Sequence, residues 1–215
     1  MTDMKVNNYD AALALIVDRS GSMWNVASQT KDSVKEFIVS QKGHEGTAAL
    51  KVVQFDDQYE VVHDFVDLKT VDENKFAEQY TPRGMTALLD AIGRTTLELS
   101  QKLESMDEAQ RPKRVMVAVI TDGYENASKE FTVDKIKSMI EEKEKLGWDF
   151  MFLGATLDTM DVAKNYGIAP EKAVYYDQGN VKRAFKEIDV QCLHSRLGKK
   201  VEILQTDREE LAKQN

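Results

Sequence analysis

The sequence predicts an α/β fold: a doubly wound, mostly parallel central sheet with one antiparallel edge strand and helices on both faces. Three observations carry this expectation. Continuous apolar runs at 11–18, 114–123 and 148–156 each end in a turn signal, the pattern of strands buried on both faces. Segments with apolar residues three and four apart separate these runs, the pattern of amphipathic helices. Strand and helix patterns alternate along the chain, and that order favours parallel strands joined by right-handed crossovers.

The elements follow in order. AALALIVD (11–18) is the first buried strand. In 25–43, Val34, Phe37 and Ile38 share one helical face and Gly43 is a C-terminal stop. Two β-rich segments in 47–68 flank Asp56, Asp57 and Gln58, which predicts a hairpin and supplies the antiparallel strand. Residues 72–86 read as a loop with a short helical piece. In 86–106, Leu89, Ile92, Thr96, Leu99 and Leu103 form a strong amphipathic stripe. After a polar connection at 108–114 comes the second buried strand, 114–123, then a helix at 131–147 and a third buried strand at 148–156. A short helix (158–167), a short strand (172–177) and a helix at 180–198 follow. The last helix carries Val181, Phe185, Ile188 and Cys192 in one stripe. In the charged remainder, Val201, Ile203 and Leu204 are expected to add a strand or to pack locally.

Composition narrows the function classes. A chain of 215 residues with 42% hydrophobic content supports one domain with a sizeable core. Three prolines and eleven glycines leave little room for a long disordered linker. The expected organisation is an α/β domain over 9–178, with a closing helix and charged extension over 179–215 packed on it. A net charge of -8 makes a broad basic face, and so a nucleic-acid partner, a poor expectation. The single cysteine, Cys192, excludes an intrachain disulfide and fits a reducing compartment. The first ten residues are polar, and no apolar stretch approaches the roughly 20 residues that span a bilayer. A cytoplasmic protein without membrane contact is the resulting expectation.

Chemistry gathers at the strand ends. In open α/β sheets, ligands sit beyond the C-terminal ends of strands, where the strand order reverses. Asp18 ends the first strand, with Ser20 and Ser22 at alternate positions after it; Asp122 ends a middle strand. Thr86 opens the long helix just before that strand, and Gly84 permits a tight approach. If the two strands are neighbours, Asp18, Ser20, Ser22, Thr86 and Asp122 converge. All five are oxygen donors, the ligand type that hard divalent cations take. Two carboxylates and three neutral hydroxyls leave such a cation open to water or an outside carboxylate. Taken singly, each serine, threonine or aspartate is as well explained by turn formation or helix capping. Three loops carrying the set in the right order favour the metal.

The set resembles the metal-ion-dependent adhesion site of von Willebrand factor type A domains. The family's Asp-x-Ser-x-Ser motif is matched by Asp18, Ser20 and Ser22, its threonine by Thr86 in GMTALLDAI, and its second aspartate by Asp122 in VITDGYEN. The resemblance covers roughly 9–178 and implies the family's Rossmann-like sheet. It implies that the hydroxyls bind metal directly and the aspartates directly or through water. It further implies a non-enzymatic module that binds a protein partner through an exposed Asp or Glu completing the coordination. Mg²⁺ is the expected ion, with Mn²⁺ and Ca²⁺ as alternatives. The wording of the motifs is similar to compact bacterial or phage stand-alone members.

The competing reading is a Mg²⁺-dependent phosphohydrolase on a similar sheet. Phosphatases resembling haloacid dehalogenases carry Asp-x-Asp after the first strand, whereas Ser20 occupies the second position here. The glycine pattern disfavours a dinucleotide or P-loop site, since only Gly21 follows the first strand. Several other residues receive expectations. Trp24 is expected to pack under the first helix, the alternative being a partner anchor. Arg83 is expected to be a solvated loop charge, the alternative being contact with an acidic ligand, and Asp56 and Asp57 to serve the hairpin turn. Tyr124, Glu125 and Asn126 are expected to line the rim, with turn formation an equal account of Asn126. His44, His63 and His194 show no ligand spacing, and Cys192 is a buried structural thiol.

Overall fold

A computed structural model describes residues 8–213. Six strands form one sheet in the order β3-β2-β1-β4-β5-β6. They are β1 (Ala11–Asp18), β2 (Ala48–Phe55), β3 (Tyr59–Asp67), β4 (Arg114–Thr121), β5 (Trp148–Gly154) and β6 (Ala173–Tyr175). All neighbours pair in parallel except β2 with β3, the hairpin at one edge. The order reverses between β1 and β4, so the predicted fold class is the observed one.

The helices are α1 (Ala27–Gly43), α2 (Lys75–Gln79), α3 (Leu88–Glu104), α4 (Val133–Lys145), α5 (Thr159–Asn165), α6 (Val181–Arg196) and α7 (Gln205–Leu211). Alternate residues of β1 feed two cores. Leu13, Leu15 and Val17 pack with Val34, Phe37 and Ile38 of α1 and with Val181, Phe185, Ile188 and Cys192 of α6. Ala12, Ala14 and Ile16 pack on the other face with Leu89, Ile92 and Leu99 of α3 and Ile136 and Ile140 of α4. Each stripe read from the sequence is therefore the buried face of its helix. No helix among the described residues is long and apolar enough to cross a membrane.

The lysine buried inside the sheet is paired. Lys51, in the middle of β2, is 3% exposed and its ammonium bridges Asp64 at 2.7 Å and Glu98 at 2.8 Å. On the edge strand, Phe65 has φ 52° where the β2–β3 register shifts, a bulge that interrupts the ladder. The tail packs locally rather than adding a strand. Val201 and Ile203 are buried with Leu211 of α7, while Leu204 is exposed. Helix α6 is tied to α1 by hydrogen bonds from Ser40 and Gln41 to the Asp189 carboxylate and from Arg196 to Gln41.

Gly93 lets α3 approach the loop before α4: a Cβ there would lie 2.4 Å from the Phe131 ring. Gly93→Ala should therefore destabilise the protein by about 1–3 kcal/mol, against its better helix propensity. Urea unfolding checks this, and a neutral or stabilising result would show that the ring moves aside freely.

Candidate metal centre

The register of β1 against β4 pairs Val17 with Ile120, which sets Asp18 beside Thr121 at the C-terminal edge. The Thr121 hydroxyl donates to Asp18 Oδ2 at 2.5 Å, and the Ser20 amide donates to Asp18 Oδ1 at 2.6 Å. Buried Tyr80 donates its phenol to the Asp18 carbonyl at 2.7 Å, fixing the strand end from below. Asp122, one residue past β4, accepts from Ser22 Oγ at 2.5 Å and from Gln178 Nε2 at 2.7 Å. Ser20 Oγ and Ser22 Oγ lie 3.0 Å apart.

Thr86 reaches the same place by a different route from the one expected. Helix α3 begins at Leu88, so Thr86 does not open it. Glu125 and Ser128, from the loop after β4, accept hydrogen bonds from the Leu89 and Asp90 amides in the first turn. Asn126 clamps Thr86 itself: its Oδ1 accepts the Thr86 amide at 2.9 Å, while its own amide donates to the Thr86 carbonyl at 3.0 Å. Asp90 in turn accepts three amides, from Lys129, Glu130 and Phe131. The two loops hold each other by their side chains.

Capping does not explain the hydroxyls. Ser20 precedes the 3-10 turn Gly21–Val26 but makes no side-chain cap bond, and α3 has no side-chain cap of its own. Gly123 shows what the hydroxyls face instead. A Cβ on it would lie 2.9 Å from Thr86 Oγ1, 3.3 Å from Ser22 Oγ and 3.4 Å from Ser20 Oγ. The three hydroxyls thus surround one small space that glycine keeps clear, with both aspartates hydrogen-bonded at its margin. Among the described residues no three His, Cys, Asp or Glu side chains cluster as a metal cage. The donor set is hydroxyl-rich, all oxygen and convergent, which fits a hard divalent cation.

The electrostatics point the same way. Burial pushes the Asp18 carboxyl up to about 7, opposed by the Thr121 and Ser20 hydrogen bonds and reinforced by Asp122. Burial also raises Asp122, opposed by Ser22 and Gln178. Two adjacent buried carboxylates without a counter-charge are costly when ionised, and a cation would reverse that cost.

Several residues play roles other than those read from sequence. Trp24 is 64% exposed, so it does not pack under α1. Arg83 is not a free solvated charge: its guanidinium reaches Asp56 and Glu60, each at 2.8 Å. Asp56 accepts the Gln58 amide in the hairpin turn, as expected, yet it is fully buried and also meets Arg19 at 3.1 Å. Arg19, 2% exposed, donates to Glu60 at 2.7 Å, and its backbone bonds Phe55 and Arg83. This cluster ties the Ser20–Ser22 loop to the β2–β3 hairpin and to the segment before Thr86. Asn126 positions Thr86, while Tyr124 is exposed at the rim. Cys192 is buried, and that burial pushes its thiol well up. The sequence carries no local signal for Arg19, Thr121 or Gln178 as supporting residues, whereas Gly123 and Glu125 are visible there just after Asp122.

Two outcomes follow from this geometry. The folded state holds the Asp18 proton more tightly than the unfolded state, so this contribution to stability is present at low pH. It is lost as pH rises from about 4 to about 7. In chelator-treated protein near neutral pH, Asp18→Asn should therefore raise stability by on the order of 2 kcal/mol, an effect absent near pH 4. Chemical denaturation at both pH values tests it, and a destabilised variant at neutral pH would contradict the assignment. Asp56→Asn removes the buried counter-charge of Arg19 and should cost at least about 2 kcal/mol; an unchanged unfolding midpoint would deny the cluster its role.

Comparison with known proteins agrees with the fold. No curated protein matches the sequence. Among solved structures, a von Willebrand factor type A protein from Catenulispora acidiphila superposes with a TM-score of 0.57 at 12% identity, covering 85% of this chain and 42% of that one. The chain therefore spans less than half the length of that relative. The conserved hypothetical protein BatB from Bacteroides thetaiotaomicron gives 0.59 at 16% identity, over 88% and 100%. Manganese-loaded TRAP protein from Plasmodium vivax gives 0.56 at 16% identity, over 85% and 74%. The family model for the von Willebrand factor type A domain matches residues 12–189. Proteins with such domains are commonly adhesion or protein-interaction modules and often bind a divalent metal. With more than four-fifths of its length inside that match, the chain belongs to the von Willebrand factor type A family.

Proposed function

We propose that this protein is a metal-dependent protein-interaction module. In this reading Ser20, Ser22 and Thr86 hold a divalent cation through their hydroxyls, and Asp18 and Asp122 balance its charge. The supporting observation is the convergence of those hydroxyl oxygens within 3.4 Å of the position a Gly123 Cβ would take. Mg²⁺ is the ion favoured for a cytoplasmic protein, with Mn²⁺ and Ca²⁺ compatible with the same donors. The bound ion supplies an electrophilic position for an oxygen anion. Ser22 is exposed, so the space opens to solvent and to a partner's Asp or Glu side chain.

The chain's own residues suit binding rather than hydrolysis. Both Asp18 oxygens already accept hydrogen bonds, from Thr121 and Ser20. Asp122 is held by Ser22 and Gln178. Ser20 stands where a phosphohydrolase of this sheet type would carry its acid–base carboxylate. These groups hold position; no observed feature favours the phosphohydrolase reading.

Gly123→Ala tests the proposal without replacing a donor. The backbone at Gly123 is outside the left-handed region, and the atoms nearest the added methyl are the side-chain hydroxyls of Thr86, Ser22 and Ser20, so the variant should fold with those hydroxyls displaced. Calorimetric titration of the chelator-treated wild type with Mg²⁺ should show one site, weakened at least about tenfold (about 1.4 kcal/mol) by Gly123→Ala and lost in Thr86→Ala. Equal binding by all three proteins would place any metal elsewhere.

A further inference from the structure

We propose that Trp24, Met85, Tyr124 and Leu157 form an apolar docking rim around the candidate metal centre, and that this rim selects a partner segment presenting a single carboxylate flanked by apolar side chains. The inference rests on the metal-dependent reading above and adds the partner's chemistry to it.

Placement carries the argument. Isolated exposed apolar residues are ordinary on protein surfaces, whereas a group of them around one point is not. Trp24 is 64% exposed, Met85 55%, Tyr124 58% and Leu157 89%. Trp24 lies two residues after Ser22, Met85 directly before Thr86 and Tyr124 directly after Gly123. Ser22 and Thr86 both meet at the Gly123 position. Leu157 comes from the loop after β5, whose Ala155 amide donates to the Thr121 carbonyl at 3.1 Å. Four loops that share one end of the sheet thus each extend a large apolar side chain to solvent.

Charge defines the occupant. Three of the five candidate donors are neutral hydroxyls, so the coordination of a divalent cation stays open there and one carboxylate from outside can complete it. Arg83, the cation nearest Thr86 in sequence, is already paired with Asp56 and Glu60. The chain carries a net charge of -8, so a run of acids would meet repulsion away from the ion. A single acid avoids this, and its neighbours gain affinity by covering the apolar rim. Aromatic anchors around a central polar contact are the usual distribution of binding energy in interfaces.

The experiment is a selection from short random peptides with one fixed central glutamate, on the immobilised full chain in millimolar Mg²⁺, with elution by chelator. Enriched peptides should carry Phe, Trp, Leu, Ile or Met beside the glutamate, and replacing that glutamate by glutamine should abolish capture. The double variant Trp24→Ser/Tyr124→Ser should weaken the enriched peptide at least about 30-fold, with Mg²⁺ affinity measured by calorimetry unchanged. In a protein that binds Mg²⁺, acidic flanks, no enrichment, or full binding by the double variant would each overturn the rim and leave the metal centre standing. Absence of Mg²⁺ binding in the wild type, or capture indifferent to chelator, would remove the metal reading and the rim proposal with it.

Discussion

The parallel pairing of β1 with β4 is the constraint on which the site depends. These strands flank the reversal in strand order, so no crossover helix covers the gap beyond their ends. Their register, Val17 opposite Ile120, brings Asp18 beside Thr121 and sets Asp122 just past the edge. The hydrogen bond from Thr121 to Asp18 then joins the strands by side chain where the backbone ladder stops. Elsewhere in the sheet a carboxylate with so little solvent would be a defect. Here two of them lie together, and the fold supports them with hydroxyls, amides and Gln178.

A second layer of interactions frees the hydroxyls. Serine and threonine near helix starts usually satisfy backbone amides. In this protein that work falls to other residues: Glu125 and Ser128 at α3, Asn126 at Thr86 and Thr132 at α4. The Arg19–Asp56–Arg83 cluster holds the loop between β1 and α1 against the hairpin. Stability is thus drawn from surrounding groups, and the central donors are left facing a space that Gly123 keeps small and open.

Much of this was legible in the sequence because its signals are local or periodic. Unbroken apolar runs marked the central strands, and the stripe from Leu89 to Leu103 marked α3. The five candidate donors could be named because their order matches strand ends in an alternating fold. What was not legible depends on contacts between distant segments. A charged Arg19 inside the motif gives no sign that Asp56 and Glu60 will bury it. Arg83 looks solvated until the hairpin folds against it. Trp24 reads as a core residue in sequence, yet Met23 and Val26 are the buried members of its turn and the indole is exposed. Thr86 looked like a helix cap because its capping substitutes lie some 40 residues away, beyond β4.

The most direct test of the central claim is anomalous diffraction from crystals of the protein soaked in Mn²⁺. The account predicts one strong peak at the C-terminal edge between β1 and β4, within coordination distance of the hydroxyl oxygens of Ser20, Ser22 and Thr86. A peak bound elsewhere, or none at this edge in well-ordered crystals at millimolar Mn²⁺, would contradict it. Those hydroxyls would then be shaping a loop rather than holding an ion.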